Sequence, residues 1–259
     1  ALFAAISGSS AATVATVGKM SIPELRKRNY PEKLLLGSLA GSGTLGLLIP
    51  PSIILIIYGV TVQESIAKLF IAGIIPGIML AIFFMLYVIG WSVLNKKIMP
   101  KMDETFSFFQ KIKQSGQLIP VIVLILAVIG SIYVGIATAT EAASLGVVGA
   151  LILSFFQKSL NKETFKLSLL GATKTSCMIA FILAGSSFLS LAMGFTGLPR
   201  NLAIWINEMG LSPYVLIMVL TFFYIILGMF LDGISAVVLT MAIIEPMIRQ
   251  AGFDMIWFG

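Results

Sequence analysis

The stretch Gly41-Ser42-Gly43-Thr44-Leu45-Gly46-Leu47-Leu48-Ile49-Pro50-Pro51 decides the fold of this chain, because it interrupts a long apolar segment. The segment is the uncharged run of residues 34–63, which is long enough to cross the ~30 Å hydrocarbon core of a bilayer. Pro50 and Pro51 lack backbone N–H groups, so the sequence predicts a helix break near the middle of the bilayer. Such a break survives only where protein or water satisfies the freed backbone groups, and a simple kink would need only one proline.

The glycines of this stretch match the dinucleotide-binding pattern G-x-G-x-x-G at Gly41, Gly43 and Gly46. That pattern requires a strand before it and a helix that opens after it, whereas here a double proline follows within an apolar run. We therefore interpret these glycines as part of an interrupted membrane helix and not as a nucleotide site.

The composition of the chain excludes a soluble domain. Hydrophobic residues make up 58% of the 259 residues and charged residues only 11%, where a soluble domain carries ~25% charged residues. The mean hydropathy is +1.04. Cys177 is the single cysteine and histidine is absent, which excludes a disulfide scaffold, histidine-ligated metals and catalytic pairs that need an imidazole. The net charge of +6 does not indicate nucleic-acid binding, because the basic residues lie in short segments between apolar runs.

Further uncharged runs predict additional membrane spans. They are residues 69–95, 114–140, 175–199 and 209–231, with a shorter run at 142–157. The basic residues fall in three predicted loops, at 19–33, 96–113 and 158–174, and two apolar runs separate each loop from the next. Because an even number of crossings returns the chain to the same side, all three loops are predicted to be cytoplasmic.

Two segments differ from ordinary spans. Residues 1–18 are uncharged, consist largely of small residues and contain Ser7-Gly8-Ser9-Ser10. This segment is either a close helix-packing face or a re-entrant hairpin whose tip exposes oxygens to an ion. Residues 233–244 are predicted to be too short to cross, and they begin beside Asp232. Paired interrupted segments, which repeat weakly in this chain, indicate an inverted-repeat secondary transporter.

Two carboxylates lie in apolar surroundings, Glu141 and Asp232. An intramembrane carboxylate costs ~2.5–3.5 kcal/mol on insertion scales and usually faces a pathway or a partner. Glu141 either marks the end of a span at the interface or has a functional role. Asp232 has apolar residues on both sides and is predicted to need a compensating partner, either a sodium ion or backbone N–H groups. Arg200, in a predicted loop with Glu208, is interpreted as a solvated residue.

Four motifs together resemble one family. They are Ala5-Ile6-Ser7-Gly8-Ser9, Gly43-Thr44-Leu45-Gly46-Leu47-Leu48-Ile49-Pro50-Pro51-Ser52, Gly135-Ile136-Ala137-Thr138-Ala139-Thr140-Glu141-Ala142-Ala143 and Gly228-Met229-Phe230-Leu231-Asp232. The chain resembles, over essentially its whole length, the large membrane subunit (M subunit, DctM-like) of tripartite ATP-independent periplasmic (TRAP) transporters. Ala139 departs from the pattern, since the family often has proline there. We expect N-terminal helices and a C-terminal element of the family, with a second double proline, to lie outside this chain.

The resemblance implies an all-α polytopic membrane protein with the inverted-repeat, elevator-type fold, broken helices and two re-entrant hairpins. It divides the chain into three regions. Residues 1–94 are the first-repeat transport region, with the tip of hairpin one, the double-proline helix and the following span. Residues 95–117 are a cytoplasmic loop, and residues 118–259 are the second-repeat region. The last region contains hairpin two, over residues 209–248, and is truncated at its C-terminal end.

The function implied by the resemblance is sodium-coupled import of an organic acid across the bacterial cytoplasmic (inner) membrane. A small membrane subunit (Q type) and a periplasmic substrate-binding protein (P type) are the implied partners, and sodium ions are the implied cofactor. C4-dicarboxylates, sialic acid and other organic acids are all compatible with the sequence. No enzymatic activity is expected.

Oxygen atoms at the breaks are the predicted sites, because sodium is a hard cation that prefers oxygen ligands. One predicted sodium cage combines the carbonyl groups of Gly46, Ile49 and Pro51 with Ser7. A second predicted sodium site uses Thr138 and Asp232. Ser9, Ser42 and Thr44 are the predicted substrate-binding residues, with helix N-termini at the breaks attracting the substrate carboxylate.

Two other classes of function remain open from the sequence. An ATP-driven permease or channel subunit would need a nucleotide-hydrolysing partner, since the chain has no G-x-x-x-x-G-K-[ST] motif. A membrane-embedded enzyme could use Glu141 and Asp232 as a carboxylate pair, although no motif supports it.

Overall fold

The computed structural model describes residues 10–100, 116, 119–208, 210 and 212–259, and these residues form helices joined by turns. The helices are α1 Ser10–Lys27, α2 Glu32–Leu48, α3 Ile53–Thr61, α4 Ile66–Leu94, α5 Ile119–Tyr133, α6 Ala139–Phe156, α7 Lys162–Thr196, α8 Leu198–Glu208, α9 Pro213–Leu227, α10 Gly233–Gln250 and α11 Met255–Phe258. No strand occurs within these described ranges. The prediction of an all-α protein is therefore confirmed.

Several of these helices are long and apolar enough to cross a membrane. They are α4, α6, α7 and α10, and the interrupted pair α2 and α3 forms a fifth candidate span; α5 and α9 are shorter apolar helices. Large apolar side chains on these helices are exposed, such as Ile75, which is 77% exposed, and Phe181, which is 83% exposed. A protein with so much exposed apolar surface requires lipid or another apolar partner around it, as expected for a multi-pass membrane protein.

Two predicted loops are helical instead. Helix α7 begins at Lys162, so most of the basic segment 158–174 lies in a helix. The Asn161 side chain caps this helix by accepting a 2.7 Å hydrogen bond from the Thr164 N–H. The predicted loop that holds Arg200 and Glu208 contains α8, so both are helical residues. The basic segment 19–33 is reduced to a short turn between α1 and α2.

The prediction that residues 233–244 are too short to cross is wrong. Helix α10 continues to Gln250 and meets the length and hydropathy of a membrane span. The sequence suggested an end at Glu245 because a charged residue interrupts the apolar run. In the structure the Glu245 carboxylate pairs with Arg249 one turn later, at 2.9 Å, so the charge does not end the helix.

The described chain divides into two compact units. The first unit contains the whole of α1, α2, α5 and α6 and most of α4. The second unit contains most of α3, the start of α4 and the whole of α7 to α11. In the first unit α1 packs on α2 and α5 packs on α6. Small residues permit these contacts: a Cβ atom at Gly43 would lie 2.5 Å from Val14 Cγ2, and one at Gly149 would overlap Leu124 Cδ1.

The second unit has its own apolar core. Buried side chains of α3, α4, α9, α10 and α11 form it, including Tyr58, Leu69, Met241, Ile248 and Met255. Two polar contacts fix helices within this unit. The Tyr58 hydroxyl donates to the Met255 carbonyl at 2.6 Å, and the Ser186 hydroxyl of α7 donates to the Val238 carbonyl of α10 at 2.9 Å.

Candidate transport site at three helix breaks

Three short non-helical segments interrupt the apolar helices. We name them the proline break (residues 49–52, between α2 and α3), the glycine break (residues 134–138, between α5 and α6) and the aspartate break (residues 228–232, between α9 and α10). The first two belong to the first compact unit and the third belongs to the second unit. Each break is described separately below.

At the proline break the missing N–H groups leave a carbonyl without its helical partner. The Ile49 N–H still donates to the Leu45 carbonyl at 2.9 Å, which closes the last turn of α2. Gly46 and Leu47 would receive their helical hydrogen bonds from Pro50 and Pro51, which have no N–H to donate. The Ser52 hydroxyl donates to the Leu47 carbonyl instead. The Gly46 carbonyl therefore lacks its helical donor and keeps lone pairs for another partner.

The proline break is enclosed by protein. Gly46, Pro50 and Ser52 are buried, and Ile49 and Pro51 are half-buried. Helix α4 passes closely beside the break. The two approach because Gly77 has no side chain: a Cβ atom there would lie 2.9 Å from Ile49 Cγ1. The Pro50–Pro51 peptide bond is cis. The structure thus has a helix break where the sequence predicted one, and it holds the carbonyl groups of Gly46, Ile49 and Pro51 on one short segment.

The predicted substrate residues on α2 do not share a face. The Ser42 hydroxyl donates to the Leu39 carbonyl at 3.3 Å and is half-buried, whereas the Thr44 hydroxyl donates to the Gly41 carbonyl at 2.7 Å and is exposed. Residues two apart on a helix differ by about 200° in direction. Both hydroxyl oxygens retain lone pairs. The predicted Ser7 and Ser9 lie outside the described residues.

At the glycine break the chain turns through Gly135, which has φ of +76° and so adopts the left-handed region that glycine tolerates. Thr138 then starts α6 with a capping box. Its hydroxyl accepts from the Glu141 N–H at 3.3 Å and donates to the Glu141 carboxylate at 2.8 Å, and that carboxylate also accepts from the Thr138 N–H at 2.8 Å. Thr138 and Glu141 thus bind each other and satisfy the first turn of the helix.

At the aspartate break the carboxylate caps the next helix. Asp232 accepts hydrogen bonds from the N–H groups of Ile234, at 3.1 Å, and Ser235, at 3.3 Å, and from the Ser235 hydroxyl. Of the two partners that the sequence allowed for Asp232, the structure supplies the backbone N–H groups. The side chain is exposed, so its oxygens have lone pairs open to a further ligand.

The three breaks therefore differ in chemistry. The proline break exposes a carbonyl oxygen, the glycine break has a closed hydroxyl–carboxylate pair, and the aspartate break has a carboxylate bound to N–H donors. No cluster of three or more Asp, Glu or Cys side chains that could hold a metal ion occurs within the described ranges. The carbonyl, hydroxyl and carboxylate oxygens at the three breaks are ligands of the kind that hard cations prefer.

Several residues of the site region were not found from the sequence. Ser52 is completely buried and its hydroxyl donates to the Leu47 carbonyl. The hydroxyl residue directly after the two prolines was the feature of the sequence that could have revealed this role. Ser235 completes the Asp232 cap, and an Asp followed three residues later by Ser at a helix start would have indicated it. The Tyr224 hydroxyl lies 2.7 Å from the Thr240 hydroxyl and joins α9 to α10, a contact for which the sequence has no local signal.

Comparison with known proteins agrees with the resemblance seen in the motifs. The family model described as the DctM component of the tripartite ATP-independent periplasmic transporter matches residues 1–259. The chain is 32% identical, over its whole length, to the C4-dicarboxylate TRAP transporter large permease protein DctM of Pseudomonas aeruginosa, and it covers 60% of that protein.

Relatives of similar identity are named for other compounds. The chain is 31% identical over 99% of its length to the isethionate TRAP transporter permease protein DctMQ of Oleidesulfovibrio alaskensis, of which it covers 40%. It is 30% identical over its whole length to the ectoine/5-hydroxyectoine TRAP transporter large permease protein UehC of Ruegeria pomeroyi, of which it covers 60%. The chain spans three fifths or less of the length of these relatives. It belongs to the DctM component family of TRAP transporters.

Proposed function

We propose that this chain, as a member of the DctM family, is the membrane subunit of a sodium-coupled secondary transporter that imports an organic acid. The observation that carries the proposal is the Gly46 carbonyl at the proline break. It lies in a buried segment within a candidate membrane span, and its helical donor position is occupied by Pro50. A buried carbonyl without a donor favours a bound cation, because leaving it unsatisfied in the membrane costs several kcal/mol.

The first sodium site in this proposal is built on the proline break. The carbonyl groups of Gly46, Ile49 and Pro51 lie on one short segment, and Ser7 supplies a hydroxyl oxygen. Carbonyl and hydroxyl oxygens can replace part of the hydration shell of a hard cation. Asp232 and Thr138, the other predicted sodium ligands, are each proposed to contribute oxygen lone pairs to sodium binding. Each has its local hydrogen bonds already in place.

The substrate carboxylate is proposed to bind near the proline break. Asp232 already occupies the N-terminus of α10 with a negative charge, so a second carboxylate there would be repelled. Helix α3 begins at Ile53, two residues after Pro51, and its first N–H groups are suited to a carboxylate. Ser9, Ser42 and Thr44 are the side chains we propose to help bind it.

The substrate class is an organic acid, with a C4-dicarboxylate as the first compound to test. Relatives at 32%, 31% and 30% identity are named for C4-dicarboxylates, isethionate and ectoine, so identity at this level does not select one compound. Sialic acid is a further candidate. A periplasmic binding protein is proposed to deliver the substrate, and a small membrane subunit to support the chain in the bacterial inner membrane.

The proposed coupling is an elevator movement. Sodium bound at the breaks would complete the helical segments around the substrate, so the loaded transport region could cross the bilayer. With only one of the two ligands bound, exposed carbonyl and carboxylate groups would oppose the movement because burying them in lipid is unfavourable.

Uptake by proteoliposomes tests the proposal. The chain in its natural full-length protein is reconstituted with the small subunit and the periplasmic protein, and uptake of labelled C4-dicarboxylate is followed in an inward sodium gradient. We expect uptake to stop when potassium replaces sodium and to need no ATP. Unchanged uptake in sodium-free buffer, driven by protons or by ATP, would overturn it. If no uptake occurs in any condition, the same assay is repeated with sialic acid and other organic acids.

A further inference from the structure

A cavity lies in the first compact unit at the end of α4. It has a volume of about 360 Å³ and is lined by Tyr30, Val88, Ile89, Ser92, Val93 and Lys96, among others. These residues lie apart in sequence from the three breaks. Tyr30 belongs to the turn between α1 and α2, and the other five residues belong to the last turns of α4 and the residue positions just after it.

Helix α4 is a candidate membrane span, so its last turns lie at a membrane boundary whichever way the chain is oriented. Ile89 is 58% exposed and Val93 is 55% exposed, and together with Val88 they form an apolar wall. Lys96 follows α4, two residues after its last residue, Leu94.

Among the residues that the structure describes, no carboxylate pairs with Lys96. Two nearby arginines have carboxylate partners: Arg26 pairs with Glu32 at 2.8 Å and Arg28 with Glu24 at 3.0 Å. A cation at a membrane boundary beside an apolar wall complements an anionic headgroup with an acyl chain.

Two hydroxyl groups add hydrogen-bonding capacity to the same cavity. The Ser92 hydroxyl donates its proton to the Val88 carbonyl at 2.7 Å, so its oxygen remains an acceptor. Tyr30 is half-buried, and its hydroxyl can donate to a phosphate oxygen. The cavity thus combines a cation, a donor and an acceptor at one end with apolar side chains along α4.

We propose that this cavity binds one anionic phospholipid, with its phosphate at Lys96 and Tyr30 and an acyl chain along Val88, Ile89 and Val93. The proposal does not depend on sodium coupling or on the transported compound. Lys97 is the matched control, because it carries the same charge at the next position but does not line the cavity.

Lipid binding by the purified natural protein tests the proposal. Thermal unfolding in detergent is measured with added phosphatidylglycerol, phosphatidylcholine or glycerol phosphate, and lipid retained after purification is identified by mass spectrometry. We expect phosphatidylglycerol to be retained and to stabilise the protein more than phosphatidylcholine. Lys96→Gln should weaken the phosphatidylglycerol effect about fivefold, the value expected for one surface cation, while Lys97→Gln should change it less and Lys96→Arg should preserve it.

Three results would overturn the proposal. They are equal stabilisation by phosphatidylcholine, equal losses for Lys96→Gln and Lys97→Gln, or the same stabilisation by glycerol phosphate alone, which would indicate a site for a free phosphate. If Lys96→Gln does not fold, Ile89→Trp fills the apolar part of the cavity and should abolish retention of phosphatidylglycerol. Retention unchanged in that variant would also contradict the proposal.

Discussion

The proline break and the aspartate break interrupt apolar helices by opposite means. At the proline break, N–H donors are missing, so the Gly46 carbonyl has no helical partner. At the aspartate break, an acceptor is added, and Asp232 binds the N–H groups of Ile234 and Ser235. The first break is buried and the second has an exposed carboxylate. The Gly46 carbonyl at the proline break therefore lacks its helical N–H donor, whereas the Asp232 carboxylate at the aspartate break already has N–H donors.

The proline break should therefore gain stability from a bound ligand, whereas the aspartate break is stable without one. An acceptor without a donor in a buried segment gains most from a cation. A carboxylate that caps a helix gains less, because N–H groups already stabilise its charge. If both breaks serve sodium, removing the proline break should therefore have the larger effect.

The largest effect is expected for the double substitution Pro50→Ala and Pro51→Ala. The two new N–H groups would bind the Gly46 and Leu47 carbonyls and allow the helix to continue. Loss of a cation–carbonyl interaction of about 1.5–3 kcal/mol corresponds to a sodium affinity about 10- to 150-fold weaker. The measurement is the sodium concentration for half-maximal uptake in proteoliposomes.

Pro76→Ala is the matched control for this variant. Pro76 lies inside α4, which continues through it as one helix, so replacing it removes a proline without closing a break. We expect its sodium dependence to match the unaltered protein. Unchanged sodium dependence in the double variant, with normal insertion, would remove the proline break from the sodium site.

A smaller effect is expected for Asp232→Asn. The amide oxygen of asparagine still caps α10, so the helix should remain intact. The loss of negative charge should raise the sodium concentration for half-maximal uptake about fivefold to tenfold, or about 1–1.4 kcal/mol. The measurement is the same uptake titration, combined with thermal unfolding to show that the variant is folded.

Asp254→Asn separates capping from sodium binding. Asp254 caps α11 in the same manner, accepting from the N–H groups of Ile256 at 2.8 Å and Trp257 at 3.0 Å. We expect this variant to keep the sodium dependence of the unaltered protein. If Asp232→Asn behaves in the same way, Asp232 is a helix cap and not a sodium ligand.

The sequence predicted those features of the fold that depend on local chemistry. Pro50 and Pro51 prevent helical hydrogen bonds wherever they occur, so the proline break was predictable. The capping box was also visible as Thr138-x-x-Glu141, although the sequence interpretation left Glu141 open between an interface residue and a functional one. The structure gives Glu141 a local partner in Thr138.

Contacts between distant residues were not predictable from the sequence. The Tyr58 hydroxyl binds the Met255 carbonyl across 197 positions, and Ser186 binds the Val238 carbonyl across 52 positions. Neither pair has a spacing that a local pattern could reveal. The extent of α10 was missed for a related reason, since the side chain that accommodates Glu245 in the helix is Arg249, and charge alone suggested a helix end.

Thr138→Val tests the glycine break, which is capped by a neutral hydroxyl. Loss of the N-cap should destabilise the protein by about 1 kcal/mol, which corresponds to a decrease in Tm of about 2–4 °C. Thr140→Val is the control, because Thr140 is the next threonine but does not cap the helix. A decrease in Tm that is equal in both variants would contradict the capping role. An additional change in sodium dependence only in Thr138→Val would support its proposed role as a sodium ligand.

The smallest effect is expected at the far end of the helix that the aspartate break begins. Arg249 of α10 donates to Glu245 at 2.9 Å, to the Val62 carbonyl at 3.1 Å and to Glu64 at 3.5 Å. Its side chain is 47% exposed, so solvent weakens these contacts and Arg249→Gln should cost only about 0.5–1 kcal/mol. Arg28→Gln removes a pair of the same i,i+4 spacing, with Glu24, but has no distant partner. If α10 is held by Val62 and Glu64, Tm should decrease more for Arg249→Gln than for Arg28→Gln, and equal decreases would show that only the local pair with Glu245 contributes.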